Sequence, residues 1–326
     1  MRAVRFHRTG GPEVLACEEV ADPALRPEHV MVRVRAAGVN FADVHFRKGE
    51  YFVKPVFPQI PGLEAAGEVL AVGEGVRGIA AGQRVVVFAN AEAYAEKVVT
   101  PASFVFPIPD ELSFEDAAAL PVQGVTALHL LTLAGRMQPG ERVLVHAAAG
   151  GVGSIAVQLA KLLGAGFVAG TASSEDKCKL VRELGADLAV DYRSGDFVQA
   201  VKGATREGVD VVLEMLGGTE IYKRNLACLA PFGRMVVYGA ATGDLRGTFE
   251  PVGLMAKNAS VIGYYLTALV RRPGACAPAM EQLARYVVEG KLRLLRGTTL
   301  PLERAADAHR MLEGRKTTGK IVLTSG

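Results

Sequence analysis

The sequence predicts an α/β protein that joins a small barrel-like β domain to a doubly wound parallel sheet. Short alternating strand patterns fill the first third of the chain, and strand and helix patterns alternate from Glu141 onward. A glycine-rich turn at 150–153 stands where one of these strands passes into a helix. The 326 residues suffice for two domains, since one domain typically takes about 100–200 residues.

Composition places the chain among folded globular proteins. Half of the residues are hydrophobic and 22% are charged, which excludes a disordered or fibrous chain. The net charge of +3 indicates no basic face for nucleic acid, so we expect no nucleic-acid partner. The four cysteines lie far apart without a CxxC motif, which favours reduced thiols over a disulfide framework.

The sequence also predicts a cytoplasmic protein with no membrane partner. The N-terminus scatters charges where a secretory signal needs an apolar run. Residues 117–135 and 143–160 carry no charged side chain, but they contain Pro121, Gln123, His146 and several glycines. Because a spanning helix needs about 20 predominantly apolar residues, we expect both stretches to be buried parts of a soluble fold.

Five short alternating runs predict the strands of the first domain. They are Arg2–Phe6, His29–Arg35, Gly67–Val72, Arg84–Val87 and Ala95–Val99. Turn signals separate them, including Thr-Gly-Gly-Pro at 9–12 and Ile-Pro-Gly at 60–62. Ser113, followed three residues later by Asp116, resembles a capping box and predicts a helix there.

Five apolar runs separated by helical patterns predict the parallel sheet. The runs are Val143–Val145, Phe167–Ala169, Leu188–Val190, Val209–Leu213 and Met235–Tyr238. Beyond residue 262 helical patterns cover Ala275–Val288 and Glu303–Glu313, and Lys320–Leu323 forms a last strand. The pattern leaves open whether this tail extends the parallel sheet or returns to the first domain.

The turn at 150–153 predicts a dinucleotide site. Gly151, Gly153 and Ala156 fit G-x-G-x-x-G/A between a strand and the predicted helix Ser154–Leu163. Glycine allows the backbone to approach a pyrophosphate, which the N–H groups and the dipole of the helix N-terminus then bind.

The end of the next strand favours NADPH over NADH. NAD sites carry an Asp or Glu there to bind the ribose 2′-OH, whereas this chain has Gly-Thr-Ala-Ser-Ser at 170–174. Ser173 and Lys177 suit a 2′-phosphate. The alternative is that Ser173 or Ser174 only caps a helix, that Lys177 is solvated and that Glu175 reaches the ribose.

Four segments together resemble the medium-chain dehydrogenase/reductase superfamily, and within it the zinc-independent NADPH:quinone oxidoreductase (zeta-crystallin-like) branch. They are Ala-Ala-Ala-Gly-Gly-Val-Gly (147–153), Gly-Val-Asn-Phe-Ala-Asp (38–43), Pro-Gly-Leu-Glu (61–64) and Gly-Lys-Ile-Val-Leu (319–323). The resemblance implies a GroES-like β-barrel catalytic domain at 1–122, an NADPH-binding Rossmann domain at 123–262 and a return segment at 263–326 that completes the catalytic domain. It also implies a homodimer or homotetramer.

The zinc dehydrogenases of this superfamily bind catalytic zinc through a Cys and a His at positions where this chain has Asn40 and Leu63. Since zinc needs three or four such ligands, we expect no metal site, and Glu64 is interpreted as a structural remnant of the second motif. Without a Lewis acid, hydride transfer favours acceptors that are already electrophilic. We therefore expect an NADPH-dependent quinone reductase; a reductase of α,β-unsaturated ketones or aldehydes and a non-catalytic NADPH-binding protein are the alternatives.

The resemblance also assigns site residues. It places Asn40 beside the nicotinamide ribose and Tyr51 beside the substrate, which makes these two the candidate catalytic residues. The other candidate cofactor-binding residues are Thr126, Gly151, Val152, Ser173, Lys177, Tyr192, Met215, Gly239, Ala240, Tyr265 and Arg315. His45 stands where the family commonly has tyrosine; it could supply a proton near neutral pH or serve only a structural role.

Overall fold

The computed structural model describes residues 1–325 except Asn90, Leu245, Arg271, Pro273, Arg315 and Lys316. The strands are β1 Arg2–Arg5, β2 Ala16–Glu19, β3 His29–Val39, β4 Glu64–Val72, β5 Arg84–Phe88, β6 Lys97–Pro101, β7 Val105–Pro107, β8 Arg142–Val145, β9 Phe167–Ala172, β10 Leu188–Asp191, β11 Val209–Glu214, β12 Leu229–Val237, β13 Ser260–Gly263, β14 Arg296–Pro301 and β15 Lys320–Thr324. The α-helices are α1 Phe41–Lys48, α2 Phe114–Ala117, α3 Val125–His129, α4 Gly151–Leu162, α5 Glu175–Glu183, α6 Phe197–Thr205, α7 Thr219–Cys228, α8 Leu266–Val270, α9 Ala277–Val288 and α10 Ala305–Glu313.

The chain divides into two compact units. The first comprises Met1–Val122, Val270–Gly290 and Leu294–Gly326, and the second comprises Gln123–Leu269 and Lys291–Arg293. Each unit has its own sheet, and each sheet packs apolar side chains into a buried cluster.

The first unit is built on a largely antiparallel sheet in the order β14-β15-β3-β4-β5-β7, with β6 also paired to β3. Valines alternate along β3, so that Val30, Val32 and Val34 are buried together with Val85 and Val87 of β5. Period-two alternation of this kind gives each strand one apolar face for the core. The GroES-like β fold predicted for this part of the chain is confirmed.

The second unit is a six-stranded parallel sheet in the order β10-β9-β8-β11-β12-β13. Numbered from β8, this is the 3-2-1-4-5-6 order of a dinucleotide-binding fold, whose strand order reverses between β8 and β11. The apolar runs predicted as strands form five of its six members, all but the edge strand β13, and Leu144, Val212 and Met235 lie fully buried in one cluster. The doubly wound fold is confirmed.

The tail returns to the first unit, which resolves the alternative that the pattern left open. Strand β15 pairs antiparallel with β3, Ile321 opposite Val39, and parallel with β14. Four strands, β2, β7, β13 and β14, were missed because they are short or mostly exposed and their sequences lack a clear apolar alternation.

One stretch of the described chain, Phe114–Ala134, is long and apolar enough to cross a membrane by length and composition. It is a helical run in which 78% of the most apolar window is buried, as in a core helix. Ser113 caps its start by accepting the N–H of Asp116 at 3.2 Å, which confirms the predicted cap. Two π-helical segments, Leu120–Gly124 and Leu130–Ala134, flank α3.

Candidate functional site

The glycine-rich turn of the second unit brings a helix N-terminus close to the end of a strand. Strand β8 ends at Val145, and the N–H of Gly150 closes a turn on the carbonyl of Ala147 at 2.8 Å. At Gly153 a Cβ atom would lie 2.3 Å from the Ala147 carbonyl oxygen, so that only glycine fits this approach.

The sequence predicted that this helix begins at Ser154, whereas in the structure helix α4 begins at Gly151. The start was placed too late because glycine has a poor helix propensity, whereas here Gly151 and Gly153 adopt helical geometry in the first turn. The N–H groups of Gly151, Val152 and Gly153 therefore belong to that turn, where a helix has no carbonyl of its own to accept them. This cradle fits a pyrophosphate.

The end of β9 presents hydroxyls. Ser174 accepts the N–H of Lys177 at 3.3 Å and caps α5, so the capping alternative holds for Ser174, while Ser173 precedes the cap and is half-buried. The carboxylate of Glu175 pairs with Arg182 along the same helix. Glu175 is the first acidic residue after β9 in the chain, and this ion pair engages its carboxylate.

Two basic residues, Lys177 and Arg193, follow the ends of β9 and β10 in the chain. Tyr192 follows β10, and its N–H bonds the carbonyl of Ala172 at 3.1 Å, which brings the two strand ends together. Burial lowers the pKa of the Lys177 ammonium, and the positive charge of the nearby Arg193 lowers it further. An anion placed here would relieve this repulsion, so the charges fit a phosphate group. Sequence reasoning missed Arg193, although a basic residue next to a predicted contact was a usable signal.

Met215, Gly239 and Ala240 come together at the ends of β11 and β12. The N–H of Ala241 bonds the Met215 carbonyl at 2.8 Å, and a Cβ on Gly239 would lie 3.3 Å from the same oxygen. All three residues are half-buried at the carboxyl edge of the sheet, where open α/β sheets bind ligands.

A buried polar network supports this edge. The Glu214 carboxylate accepts the N–H of Gly217 at 2.8 Å and a bond from Asn225, whose side-chain oxygen lies 2.7 Å from His146 Nε2. The other ring nitrogen of His146 lies 2.9 Å from the hydroxyl of Thr171, and burial lowers the pKa of the imidazole. The network was not predicted, because its members are spread over four elements.

Thr126 and Tyr265 are connected through their neighbours. His129 lies one helical turn after Thr126 on α3, and its Nδ1 is 3.1 Å from the Tyr264 hydroxyl. The contact holds the segment after β13, where Tyr265 follows Tyr264, against the helix that carries Thr126. Thr126 itself is buried, with 6% of its surface exposed.

The first unit holds a buried ion pair beside Asn40. The Lys320 ammonium donates to Glu64 and, at 2.8 Å, to Asn40 Oδ1, while Asn40 Nδ2 donates to Glu64 Oε1 at 2.8 Å. The other Glu64 oxygen accepts the N–H of Val122 at 2.7 Å. Glu64 is fully buried, and Lys320 and Asn40 are 4% and 5% exposed. Sequence reasoning used Lys320 only for the family resemblance and missed its contact with Asn40.

The close approach at this pair requires a small residue on β3. A Cβ on Gly38 would lie 2.4 Å from Glu64 Oε1 and 2.6 Å from Lys320 Cε. The positions that bear zinc ligands in the zinc dehydrogenases hold Asn40 and Leu63, and within the described ranges no group of three or more His, Cys, Asp or Glu side chains is placed to hold a metal ion.

Asp43 extends the buried polar cluster. Its carboxyl accepts the N–H of Asn40 at 2.8 Å and the hydroxyl of Tyr94 at 3.1 Å. Burial raises the pKa of Asp43 to about 7, against the opposing effects of the Asn40 N–H and of Lys320.

The cluster continues to a buried histidine in α10. The Tyr94 hydroxyl lies 3.2 Å from His309 Nε2, and Arg47 lies 3.1 Å from His309 Nδ1. Because arginine only donates, Nδ1 accepts and Nε2 carries the proton. Burial, followed by the Arg47 charge, lowers the pKa of His309 to about 3.

His45 lies in the last turn of α1, and Tyr51 follows the end of this helix. Tyr51 is half-buried, and its ring packs on Phe52 with centroids 5.6 Å apart. His45 Nδ1 is 3.5 Å from the Glu50 carboxylate. The substrate roles of Tyr51 and His45 stay predictions, as do the assigned roles of the cofactor residues. Arg315 lies outside the described residues.

Comparisons with known proteins cover both units. Residues 26–110 match the family described as alcohol dehydrogenase GroES-like domain, and residues 151–285 match the family described as zinc-binding dehydrogenase. The human synaptic vesicle membrane protein VAT-1 homolog is 36% identical over 96% of this chain and 83% of its own length. Mouse quinone oxidoreductase is 35% identical over 99% of this chain and 97% of its own length.

A solved structure agrees over the full length. The crystal structure of Escherichia coli quinone oxidoreductase complexed with NADPH has a TM-score of 0.93 and 34% sequence identity to this chain. The match covers 99% of this chain and 100% of that one.

The raised pKa of Asp43 predicts how stability depends on pH. The folded protein keeps the carboxyl proton up to pH about 7, whereas the unfolded chain loses it near pH 3.9. The folded state therefore binds the extra proton, and unfolding free energy relative to Asp43→Asn should fall as pH rises from about 4 to 7, by at most about 1.4 kcal/mol per pH unit. Urea unfolding of both proteins from pH 4 to 8.5 measures this difference. The His309 titration is common to both proteins and therefore cancels in the comparison. A difference in unfolding free energy that stays constant or rises with pH contradicts the raised pKa of Asp43.

The buried ion pair predicts a large stability loss when one partner is removed. Lys320→Met leaves Glu64 buried without its cation, and we expect a loss of about 3–5 kcal/mol in unfolding free energy. Lys320→Met combined with Glu64→Gln should recover much of this loss. The control is Lys161→Met, which breaks an exposed pair with Asp187 and should cost at most about 1 kcal/mol. Equal losses for Lys320→Met and Lys161→Met in urea unfolding contradict the prediction.

Proposed function

The chain belongs to the quinone oxidoreductase branch of the medium-chain dehydrogenase/reductase superfamily, and from that premise we propose that it is an NADPH-dependent reductase that transfers hydride to quinones. The observation that carries the proposal is the joining of the ends of β9 and β10, where the Tyr192 N–H bonds the Ala172 carbonyl at 3.1 Å and where Ser173, Lys177 and Arg193 follow the two strands in the chain. Two cations and a hydroxyl suit the 2′-phosphate of NADPH, where NAD sites carry a carboxylate.

The residues of the second unit bind and orient the coenzyme in this proposal. The N–H groups at the start of α4 hold the pyrophosphate, and Ser173, Lys177 and Arg193 hold the 2′-phosphate. Met215, Gly239 and Ala240 line the strand ends between these phosphate-binding residues and the nicotinamide half of the coenzyme. NADPH, when bound, supplies the hydride.

The residues at the positions of the zinc ligands indicate which class of hydride acceptor the protein reduces. Asn40 and Leu63 supply no metal-binding imidazole or thiolate, so a carbonyl would have no Lewis acid to polarise it there. When a quinone accepts hydride, the conjugated ring of the quinone itself stabilises the negative charge that the hydride brings. The protein then has to orient coenzyme and acceptor and to exclude water. A conjugated ketone or aldehyde meets the same requirement and is the second candidate.

Steady-state oxidation of NADPH against a panel of ortho-quinones, para-quinones and conjugated enones tests the acceptor class. We expect turnover with quinones that exceeds turnover with enones. Turnover with enones alone supports the second candidate, and tight NADPH binding without turnover of any acceptor supports a non-catalytic binding protein. Either of these results contradicts the proposal.

The paired cations predict the coenzyme preference. Lys177→Ala removes a charged partner of the 2′-phosphate, and we expect the Kd for NADPH to rise about 10- to 100-fold while the Kd for NADH barely changes. Arg193→Ala should act in the same direction with a smaller effect, since the Arg193 side chain is 60% exposed and its guanidinium also pairs with Asp191.

Lys179→Ala is the matched control on the same helix. The Lys179 side chain is 63% exposed, and its ammonium pairs with Asp176 at 3.5 Å. Titrations that follow nicotinamide fluorescence should give an unchanged Kd for both coenzymes with this variant. Equal losses of NADPH and NADH affinity in Lys177→Ala would show that the 2′-phosphate is bound elsewhere.

A further inference from the structure

The first unit contains a cavity of about 250 Å³ that the proposed function does not use. Glu115 and Asp116 of α2 line it, together with Arg296 and Thr299 of β14 and Lys320 of β15. A water molecule takes up about 30 Å³ in the liquid, so this space holds about eight waters or one small organic molecule. We call it the α2–β14 cavity.

A β-bulge in the edge strand β14 forms part of the cavity wall. Arg296 pairs with Lys320 and Thr299 pairs with Val322, so that three steps along β14 correspond to two along β15. The extra residue therefore stands at 297–298, and Gly297 lines the cavity. Bulges are frequent at sheet edges and beside functional sites, where they redirect side chains, so this irregularity marks the cavity as a candidate binding site.

The helix side of the cavity carries an unpaired carboxylate. Asp116 accepts Arg296 Nε at 2.8 Å and the Ser113 hydroxyl at 2.9 Å, which engages both of its oxygens. Glu115 is half-buried, and it forms no hydrogen bond or ion pair with any residue that the structure describes. Its charge also acts on Arg296, but that guanidinium is already bound to Asp116. Glu115 therefore remains available to a donor in the cavity.

The strand side of the cavity offers hydrogen-bond donors. The Lys320 ammonium has three hydrogens, of which one goes to Glu64 and one to Asn40 Oδ1 at 2.8 Å. Lys320 is only 4% exposed, and its third hydrogen has no partner among the described residues. The hydroxyl of Thr299 has no partner in the same part of the chain. Because a buried donor without an acceptor costs free energy, an acceptor in the cavity would stabilise this wall.

We propose that the α2–β14 cavity binds a small zwitterion, a molecule that carries one ammonium and one carboxylate group. The ammonium of the ligand donates to Glu115, and its carboxylate accepts from Lys320 and Thr299. Ala119 and Val322 line the same cavity and provide apolar surface for the carbon chain of the ligand. This site does not depend on the proposed function, because all of its residues belong to the first unit and none is assigned to the coenzyme.

Charge favours a zwitterion over a ligand with a single charge. The wall carries Glu115 and Asp116 against Arg296 and Lys320, and Lys320 is already paired with Glu64. A carboxylate alone would add a second negative charge beside Glu115, and an ammonium alone would leave the Lys320 hydrogen without an acceptor. A zwitterion adds no net charge and brings a complementary group to each side.

A series of probes with increasing charge separation tests the class of ligand. Glycine, β-alanine, 4-aminobutanoate and 5-aminopentanoate carry both charges, whereas butanoate and butylammonium carry one each. In isothermal titration calorimetry of the full chain without coenzyme, we expect saturable binding of at least one zwitterion with a Kd of about 1 mM or lower. Both singly charged probes should bind at least about tenfold more weakly. Absence of saturable binding by every zwitterion, or equally tight binding of butanoate or butylammonium, overturns the proposal.

Substitutions on the two sides of the cavity test the two assigned contacts. Glu115→Gln removes the partner of the ammonium and should raise the Kd of the best zwitterion about tenfold, without weakening butanoate. Thr299→Val removes one donor to the carboxylate and should raise the Kd about 2- to 10-fold. Glu111→Gln is the matched control, since it removes the same charge at an exposed position outside the lining. An unchanged Kd in Glu115→Gln, or an equal rise in Glu111→Gln, contradicts the assigned contact.

The position of the bound probe is tested by NMR on the ¹⁵N-labelled protein. At saturation with the best zwitterion, the backbone N–H signals of Ala119, Gly297 and Thr299 should shift, since these residues line the cavity. The signal of Gly153 in the glycine-rich turn should not shift. Changes confined to that turn would place the zwitterion in the second unit and overturn the proposal, whatever the outcome of the turnover assays.

Discussion

The ion pair of Glu64 with Lys320 is the interaction on which the polar centre of the first unit depends. Burying two charges is expensive, and it is tolerated where both charged groups gain further hydrogen bonds. Here the partners are Asn40 and the backbone N–H of Val122. If either charge is removed, the other remains buried without a partner of opposite charge. The ion pair therefore depends on three features together, namely the glycine of β3, the return of the tail that carries Lys320 and the orientation of Asn40.

The second unit solves a comparable problem at the carboxyl edge of its sheet. Glu214 is fully buried at the end of β11, and its oxygens receive backbone N–H groups from the following turn and the side chain of Asn225. The carboxylate thus shapes the loop that places Met215 near Gly239. In both units a buried carboxylate organises backbone at the place where functional residues gather, and in neither does it need to contact a ligand itself.

The sequence was sufficient for the parts that depend on local pattern. Alternating valines marked β3, a run of three valines marked β5, apolar runs marked the parallel strands, and the glycine turn marked the start of the coenzyme site. It was insufficient where contacts join distant segments. Nothing near Lys320 in the chain shows that it meets Asn40, and Glu64 gave no sign of its three donors. Arg193 directly follows the predicted contact Tyr192 in the chain, but only the pairing of β9 with β10 shows that it lies on the same side of the sheet edge as the residues after β9.

A high-resolution crystal structure of the protein tests the central claim most directly. We expect Lys320 Nζ to lie within hydrogen-bond distance of both Glu64 and Asn40 Oδ1, with Asn40 Nδ2 donating to Glu64. An Asn40 side chain in the opposite orientation, or a Lys320 that has left the pair, would contradict this expectation.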